Sequence, residues 1–164
     1  PVRISTGGIF ELDLDTMEVY EVPLVGFCTE ENTFHPHGIS IFRDTPEGPT
    51  LLFIVNHRNP GLGDQVLVFQ FNAEERTLTH VDTIEDVLFV SINDVVAVGL
   101  QQFFVPNDSG YPRDSLWRLS AFLFPFTSGS TVVYYDGELA SVAIKAGEIA
   151  FANGINVSLG GKYL

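Results

Sequence analysis

A polar residue stands directly before a short apolar run at three places in the chain, and this repetition strongly limits the possible fold. The three cases are His37 before the run at residues 39–42, Asn93-Asp94 before residues 95–99, and Asn153-Gly154 before residues 155–157. The three starts lie 56 and then 60 residues apart. A repeat of this length is typical of arrays in which each unit packs on the next. We therefore predict three innermost strands of successive β-propeller blades, with their starts converging on one central channel.

Turn residues divide the rest of the chain into short segments. Clusters of Gly, Pro, Asn and Asp separate apolar or alternating stretches, which predicts strands in antiparallel blades. The predicted strands are 9–14 and 18–23, then 38–42, 51–56, 65–71 and 78–83, and finally 95–99, 102–106, 132–135 and 139–143. We expect an all-β fold, an incomplete β-propeller with four-stranded antiparallel blades.

The segments predict one partial propeller made of four consecutive parts. Residues 1–33 give the outer strands of one blade, residues 34–90 a second blade, and residues 91–150 a third blade that contains an insertion at 109–130. Residues 151–164 begin a fourth blade. The start at Pro1, without Met or an apolar leader, fits a fragment or processed product.

The insertion at 109–130 is aromatic and apolar, and its centre has the pattern of a short helix. Asp114 is a candidate N-cap, and apolar residues follow at roughly helical spacing through residue 123. An excursion of this kind over a channel mouth fits a substrate lid or a lipid-surface contact. A helix packed on its own blade explains the pattern equally well.

Charge and composition exclude some classes of partner. The net charge is −13, with only 8 Lys and Arg residues, which opposes nucleic-acid binding because that affinity comes from cations neutralising phosphates. The single cysteine, Cys28, allows no internal disulfide and has no zinc-type spacing around it. The sequence has no apolar run of about 18 residues, so we expect no membrane-spanning helix.

The second strand of each unit ends in a titratable residue, His57 in the first and Asp108 in the second. In an antiparallel pair the end of strand two lies beside the start of strand one, so His57 is expected near His37 and Asp108 near Asn93. An imidazole titrates near neutrality and suits general-base catalysis. The alternatives remain that the asparagines are turn residues and that each histidine caps a strand.

Several uncommon motifs resemble, in order and spacing, those of the serum paraoxonase and arylesterase family. They are Phe34-His35-Pro36-His37-Gly38-Ile39-Ser40, Val55-Asn56-His57, Ile92-Asn93-Asp94-Val95-Val96-Ala97-Val98-Gly99, Asn107-Asp108, Val132-Val133-Tyr134-Tyr135 and Phe151-Ala152-Asn153-Gly154-Ile155-Asn156-Val157-Ser158. The resemblance covers nearly the whole chain but only about the middle half of the family's six-bladed propeller. It therefore implies about half of such a propeller.

The resemblance implies a hydrolase of lactones, aryl esters and some organophosphates that uses two calcium ions, one catalytic and one structural. Matched by motif, the site residues are His37 and His57 as the histidine dyad, Asn56 and Phe151 in the substrate pocket, Asn93 and Asn153 as ligands of the catalytic calcium, and Asp94 and the Ile39 carbonyl as ligands of the structural calcium. The family's lipid-surface helix falls within 109–130, and kinship suggests secretion.

Two features of this chain differ from the complete family pattern. Ser109 stands where relatives often have a histidine, which leaves no auxiliary histidine there. The stretches that match the family's remaining acidic calcium ligands are not in this chain, so we expect the isolated chain to bind calcium weakly and to be nearly inactive. Two glycosylation patterns begin at Asn107 and Asn156, and we expect the second to be buried in a strand.

Other functions fit the same sequence pattern. A noncatalytic propeller could bind a partner through its funnel or lid, and a gluconolactonase-like or strictosidine synthase-like enzyme would share the fold and metal site without needing both histidines. The sequence lacks a Gly-x-Ser-x-Gly elbow, which makes a serine hydrolase improbable.

Overall fold

The computed structural model describes residues 7–27, 33–58, 61–118, 123–124 and 128–164, and these are essentially all-β. The strands of these residues are β1 (Phe10–Leu12), β2 (Val19–Glu21), β3 (Leu24–Val25), β4 (Pro36–Phe42), β5 (Thr50–His57), β6 (Asp64–Asn72), β7 (Thr77–Ile84), β8 (Val96–Ala97), β9 (Phe103–Asn107), β10 (Thr131–Tyr135) and β11 (Ala140–Ile144). They form three mostly antiparallel sheets, consistent with a partial propeller. The prediction of an all-β fold is confirmed.

The helix predicted over residues 114–123 falls partly outside the described residues. Trp117, Arg118 and Leu123 are helical, but residues 119–122 are not described, so no helix is seen in full. Among the described residues, no helix has the length and apolar character needed to cross a membrane.

The second blade is a sheet in the order β3-β7-β6-β5-β4, and its central strands bury both faces. Successive side chains of β5 alternate between two cores, since a strand points neighbouring residues to opposite faces. Leu52 and Ile54 pack with the residues that precede the sheet, including Phe34. Phe53 and Val55 pack with the third blade. This two-sided burial explains the nearly unbroken apolar sequence of β5.

Strand β3 was not predicted. Leu24 pairs with Leu78 and Val25 with Thr79 in parallel to β7, so the sheet gains a fifth strand. The Leu78 N–H also donates to the Pro23 carbonyl oxygen at 2.9 Å. Two residues are too few to produce a periodic pattern, so the sequence carries no signal for this strand.

The third blade is a sheet in the order β11-β10-β9-β8, and it lies directly beside β4. Its innermost strand, β8, has only two residues where the sequence predicted five, over 95–99. The Ala97 N–H donates to Ser40 Oγ at 3.0 Å, which joins β8 to β4. The innermost strands of the two blades are therefore neighbours.

The strand predicted over residues 155–157 is wrong, whereas the turn after it is present. The Ile155 N–H donates to Asp94 and the Val157 N–H to the side chain of Asn156, so neither enters a strand ladder. The chain then turns at Gly160 and Gly161, which have φ angles of 92° and 72°, values that glycine adopts easily.

Candidate active site

The loops that open the three predicted innermost strands meet at Asp94. Gly38 lies so close to it that a Cβ on Gly38 would be 2.4 Å from Asp94 Oδ1 and 2.5 Å from Asp94 Cα. From the third loop, the Ile155 N–H donates to Asp94 Oδ2 at 3.1 Å. The structure thus brings together the segments that carry His37, Asn93-Asp94 and Asn153.

The two predicted site histidines lie side by side at this junction. The ring centroids of His37 and His57 are 4.9 Å apart, with 49° between the planes. His57 Nδ1 is 2.9 Å from Asp64 Oδ1. On the other carboxylate oxygen, Arg113 Nε donates to Asp64 Oδ2 at 3.1 Å. An unbroken line of contacts therefore runs from Arg113 through Asp64 and His57 to His37.

The surroundings of His37 favour its neutral form. Partial removal from water is the main cause that lowers its pKa from 6.5, and the neighbouring His57 and Arg113 act in the same direction. A hydrogen bond with the Asn93 side chain and the charge of Asp108 oppose this shift. Because the net direction is downward, the imidazole is neutral at pH 7 and can accept a proton.

The side chain of Asn56 is fully buried and holds the loop that leads to His37. Its Oδ1 accepts from the His35 N–H at 2.7 Å, and its Nδ2 donates to the Thr33 carbonyl oxygen at 2.8 Å. These contacts position the backbone, and the assignment of Asn56 to a substrate pocket stays a prediction.

Asn107 repeats this arrangement one blade later. Its Oδ1 accepts from the N–H groups of Val90 and Ser91 at 3.0 and 2.9 Å, and its Nδ2 donates to the Leu88 carbonyl oxygen at 2.8 Å. The side chain is buried. In both sheets, therefore, a buried asparagine near the end of the second strand bonds the backbone of the loop that leads into the first strand.

We expect Asn107→Ala to lower the free energy of unfolding by about 2–4 kcal/mol, because the buried Ser91 N–H, the partly buried Val90 N–H and the Leu88 carbonyl would lose their partner. Denaturant unfolding of the purified variant measures this. Asn72→Ala is the matched control: Asn72 also accepts from two backbone N–H groups, of Glu74 and Glu75, but in an exposed turn. Equal losses in the two variants would contradict the structural role of Asn107.

The side-chain amide of Asn107, which begins the first glycosylation pattern, is buried and donates to the Leu88 carbonyl oxygen. It is therefore not accessible for a glycan in this fold. Asn156 is exposed, which contradicts the expectation that it is buried in a strand.

Asp108 lies beside Asn93, as the antiparallel argument predicts. The Asn93 amide donates to Asp108 Oδ2 at 3.3 Å, and the Ser91 hydroxyl donates to Oδ1 at 2.7 Å. Arg118 Nη2 donates to Asp108 Oδ2 at 2.5 Å, and Arg113 Nη1 lies 3.9 Å away. Two arginines of the insertion therefore neutralise the carboxylate next to Asn93.

The residues expected to bind calcium supply suitable atoms but too few of them. Asn93, Asn153 and Ile39 offer neutral oxygens, and Asp94 is the one carboxylate of the set. Both Asp94 oxygens already accept backbone N–H groups, from Val95 at 2.9 Å and from Ile155 at 3.1 Å. In the part of the chain that is described, no group of three or more His, Cys, Asp or Glu is placed to hold a metal. Calcium prefers six to eight oxygens, so these residues do not form a complete site by themselves.

Phe151 precedes Asn153 in an unusual backbone conformation. Its φ is 51°, in the left-handed region that a bulky residue rarely adopts. The next residue is anchored, since the Ala152 N–H donates to Ser130 Oγ at 2.8 Å. The assignment of Phe151 to the substrate pocket stays a prediction.

Sequence reasoning missed three charged residues that contact this site, namely Asp64, Arg113 and Arg118. Asp64 looked like a turn residue after Gly63, and the two arginines lie within an insertion that looked mainly apolar. One signal was available: the chain has only 8 Lys and Arg residues, and two of them are five positions apart in that insertion.

A cavity of about 770 Å³ adjoins Asp64 and Arg113 but is not lined by His37 or His57. Its wall also includes Arg58 and Glu85, which form an ion pair at 2.8 Å. The cavity is thus distinct from the space between the three loops.

Comparison with known proteins identifies the family. The arylesterase family model matches residues 3–164. The chain belongs to the arylesterase family. The resemblance noted from the motifs is thereby confirmed.

Similar members of the arylesterase family include three mammalian proteins. The chain is 39% identical to serum paraoxonase/arylesterase 1 of Mus musculus, over 96% of this chain and 43% of the relative. It is 37% identical to serum paraoxonase/arylesterase 1 of Homo sapiens, over 98% and 44%. It is 33% identical to serum paraoxonase/lactonase 3 of Mus musculus, over 96% and 43%. The chain thus spans less than half the length of these relatives.

Proposed function

We propose that the natural protein containing this chain is a calcium-dependent hydrolase of lactones and aryl esters. The observation that carries the proposal is the pairing of His37 with His57, whose rings lie 4.9 Å apart at the meeting point of three loops. The family match and the names of the relatives, which include arylesterase and lactonase, support this reaction class.

In the proposed reaction, His37 is the general base. Its neutral imidazole accepts a proton from water as the oxygen attacks the ester carbonyl. His57 lies against His37 and holds the orientation of its ring. The new C–O bond forms on the carbonyl carbon. The ester C–O bond then breaks as the protonated His37 returns its proton to the leaving oxygen, which gives an alcohol or phenol and a carboxylic acid that ionises at neutral pH. A lactone gives both products in one molecule, a hydroxy acid.

The decisive experiment is hydrolysis of phenyl acetate and of a simple γ- or δ-lactone by the purified natural protein. We expect both substrates to be hydrolysed in calcium and hydrolysis to stop after chelation, with recovery when calcium is restored. Hydrolysis of neither substrate at any calcium concentration would contradict the proposal.

We expect the isolated chain of 164 residues to bind calcium more weakly than about micromolar, because one carboxylate and a few neutral oxygens give an incomplete shell. Calorimetric titration of the folded chain, with circular dichroism to establish strand content, measures this. Micromolar or tighter binding would contradict the expectation.

The proposal extends to location and to surface contact. We propose secretion, supported by the serum proteins among the relatives. We also propose that the insertion contacts a lipid surface, supported by the exposure of Leu116, Trp117, Leu123 and Phe124. We expect the natural protein to bind phosphatidylcholine vesicles and Leu116→Ser to weaken that binding. Equal binding by the wild type and Leu116→Ser would contradict this role.

A further inference from the structure

We propose that Asp64 is a positioning residue for the histidine pair, fixing His57 with its proton on Nδ1 and its lone pair on Nε2. The inference deepens the proposed function and rests on it for its catalytic consequence. Nothing in the motif resemblance assigns Asp64, which pairs with His57 from the neighbouring strand β6.

Asp64 is a buried carboxylate with both oxygens engaged. It is 6% exposed, Oδ1 lies 2.9 Å from His57 Nδ1, and Oδ2 accepts from Arg113 Nε at 3.1 Å. A buried carboxylate is retained in its ionised form when a cation and hydrogen bonds compensate its loss of water. Arg113 supplies that compensation.

The charge of Asp64 decides the tautomer of His57. An ionised carboxylate only accepts hydrogen bonds, so His57 Nδ1 must carry the proton that is donated to it. In the neutral ring, Nε2 then has the free lone pair. His57 Nε2 is buried and bonds no other group of the described residues, which leaves it available at the face of the ring pair.

The backbone of His57 is held as firmly as its ring. Its N–H donates to the His35 carbonyl oxygen at 3.1 Å, and its own carbonyl oxygen lies 3.0 Å from His35 Nδ1. Since backbone and ring are both fixed, Asp64 sets the one remaining variable, the side of the ring that bears the proton. An aspartate that orients a histidine in this way matters through the tautomer and not through contact with substrate.

Arg113 extends this arrangement to the insertion. Besides Asp64, its Nη2 donates to the Ile92 carbonyl oxygen at 2.5 Å, directly before Asn93. Arg113 therefore links the carboxylate that orients His57 to the backbone next to Asn93.

The test is the tautomer of His57 in the natural protein labelled with ¹⁵N-histidine, read from long-range ¹H–¹⁵N couplings at pH 8. We expect the Nδ1–H form in the wild type. In Asp64→Asn, the amide oxygen accepts from Arg113 and the amide N–H donates to His57 Nδ1, so the ring must change to the Nε2–H form. We expect kcat for the lactone to fall roughly 10²- to 10⁴-fold with KM unchanged.

Glu85→Gln is the control, because Glu85 lines the same cavity and pairs with Arg58 without touching His57. It should keep the Nδ1–H form and the wild-type kcat. If His57 carried its proton on Nε2 in the wild type, the proposal would be overturned. This measurement needs no variant, so it remains decisive even if Asp64→Asn does not fold. An unchanged tautomer in folded Asp64→Asn would also overturn it. If the tautomer of His57 changed in Asp64→Asn but the wild-type protein hydrolysed no ester, the positioning role would be supported and the proposed hydrolase activity contradicted.

Discussion

Gly38→Ala is expected to lower the free energy of unfolding by roughly 2–4 kcal/mol, because the added methyl has no room. Its Cβ would lie 2.5 Å from Asp94 Cα, a backbone atom that no rotamer change can move. Shifting Asp94 would also disturb its bonds to the N–H groups of Val95 and Ile155. Thermal unfolding followed by circular dichroism should show a midpoint lower by roughly 5–15 °C.

The matched control is Gly154→Ala, which places a methyl group on the other side of the same carboxylate. There the Cβ would be 3.9 Å from Asp94 Oδ2, an ordinary contact, and the Gly154 backbone is outside the left-handed region. We expect a change within about 0.5 kcal/mol. If Gly38→Ala were as stable as Gly154→Ala, the three loops would not meet at Asp94 as described.

His37→Gln is expected to reduce kcat for lactone and aryl ester roughly 10²- to 10⁴-fold in the natural protein, because the amide cannot accept a proton from water. Glutamine keeps similar length and a hydrogen-bonding group for Asn93, so the fold and calcium affinity should be retained. Steady-state kinetics, circular dichroism and a calcium titration on the same preparation separate these effects.

A second histidine serves as the control for that variant. His80 lies on β7, where its ring packs against Phe27 and Phe69, away from the three loops. His80→Gln should therefore leave kcat within about twofold of the wild type. Unchanged hydrolysis in His37→Gln would contradict the dyad, and unchanged biological activity without hydrolysis would favour a noncatalytic binding module.

The second blade was the most predictable part of the fold. Its four strands were expected at 38–42, 51–56, 65–71 and 78–83, and the structure has them at Pro36–Phe42, Thr50–His57, Asp64–Asn72 and Thr77–Ile84. Each strand has at least five residues bounded by turn residues, which is enough for a clear pattern. β3, with two residues, gave no usable periodicity, and β8 was predicted as five residues where the structure has two.

The candidate site was predictable only where sequence neighbours and strand pairing set distances. His57 ends β5 beside β4, so its closeness to His37 follows from antiparallel pairing. Asp64 and Arg113 are 49 residues apart, and no local rule links a hairpin residue to a long insertion. Ile155 was expected in a strand, but its N–H donates to the side chain of Asp94 instead.

The sequence alone determined the all-β class, the family and the closeness of His37 to His57, because these depend on short-range alternation, turn residues and motifs in fixed order. Only the tertiary structure decided that Asp64 and Arg113 support His57, that Gly38 presses on Asp94, and that Asn56 and Asn107 fix their loops. Asp64 pairs with His57 across one hairpin, but Arg113 reaches Asp64 from 49 residues away, in the insertion. The contacts of Gly38 and of the two asparagines likewise depend on how loops pack against strands, which no local pattern encodes.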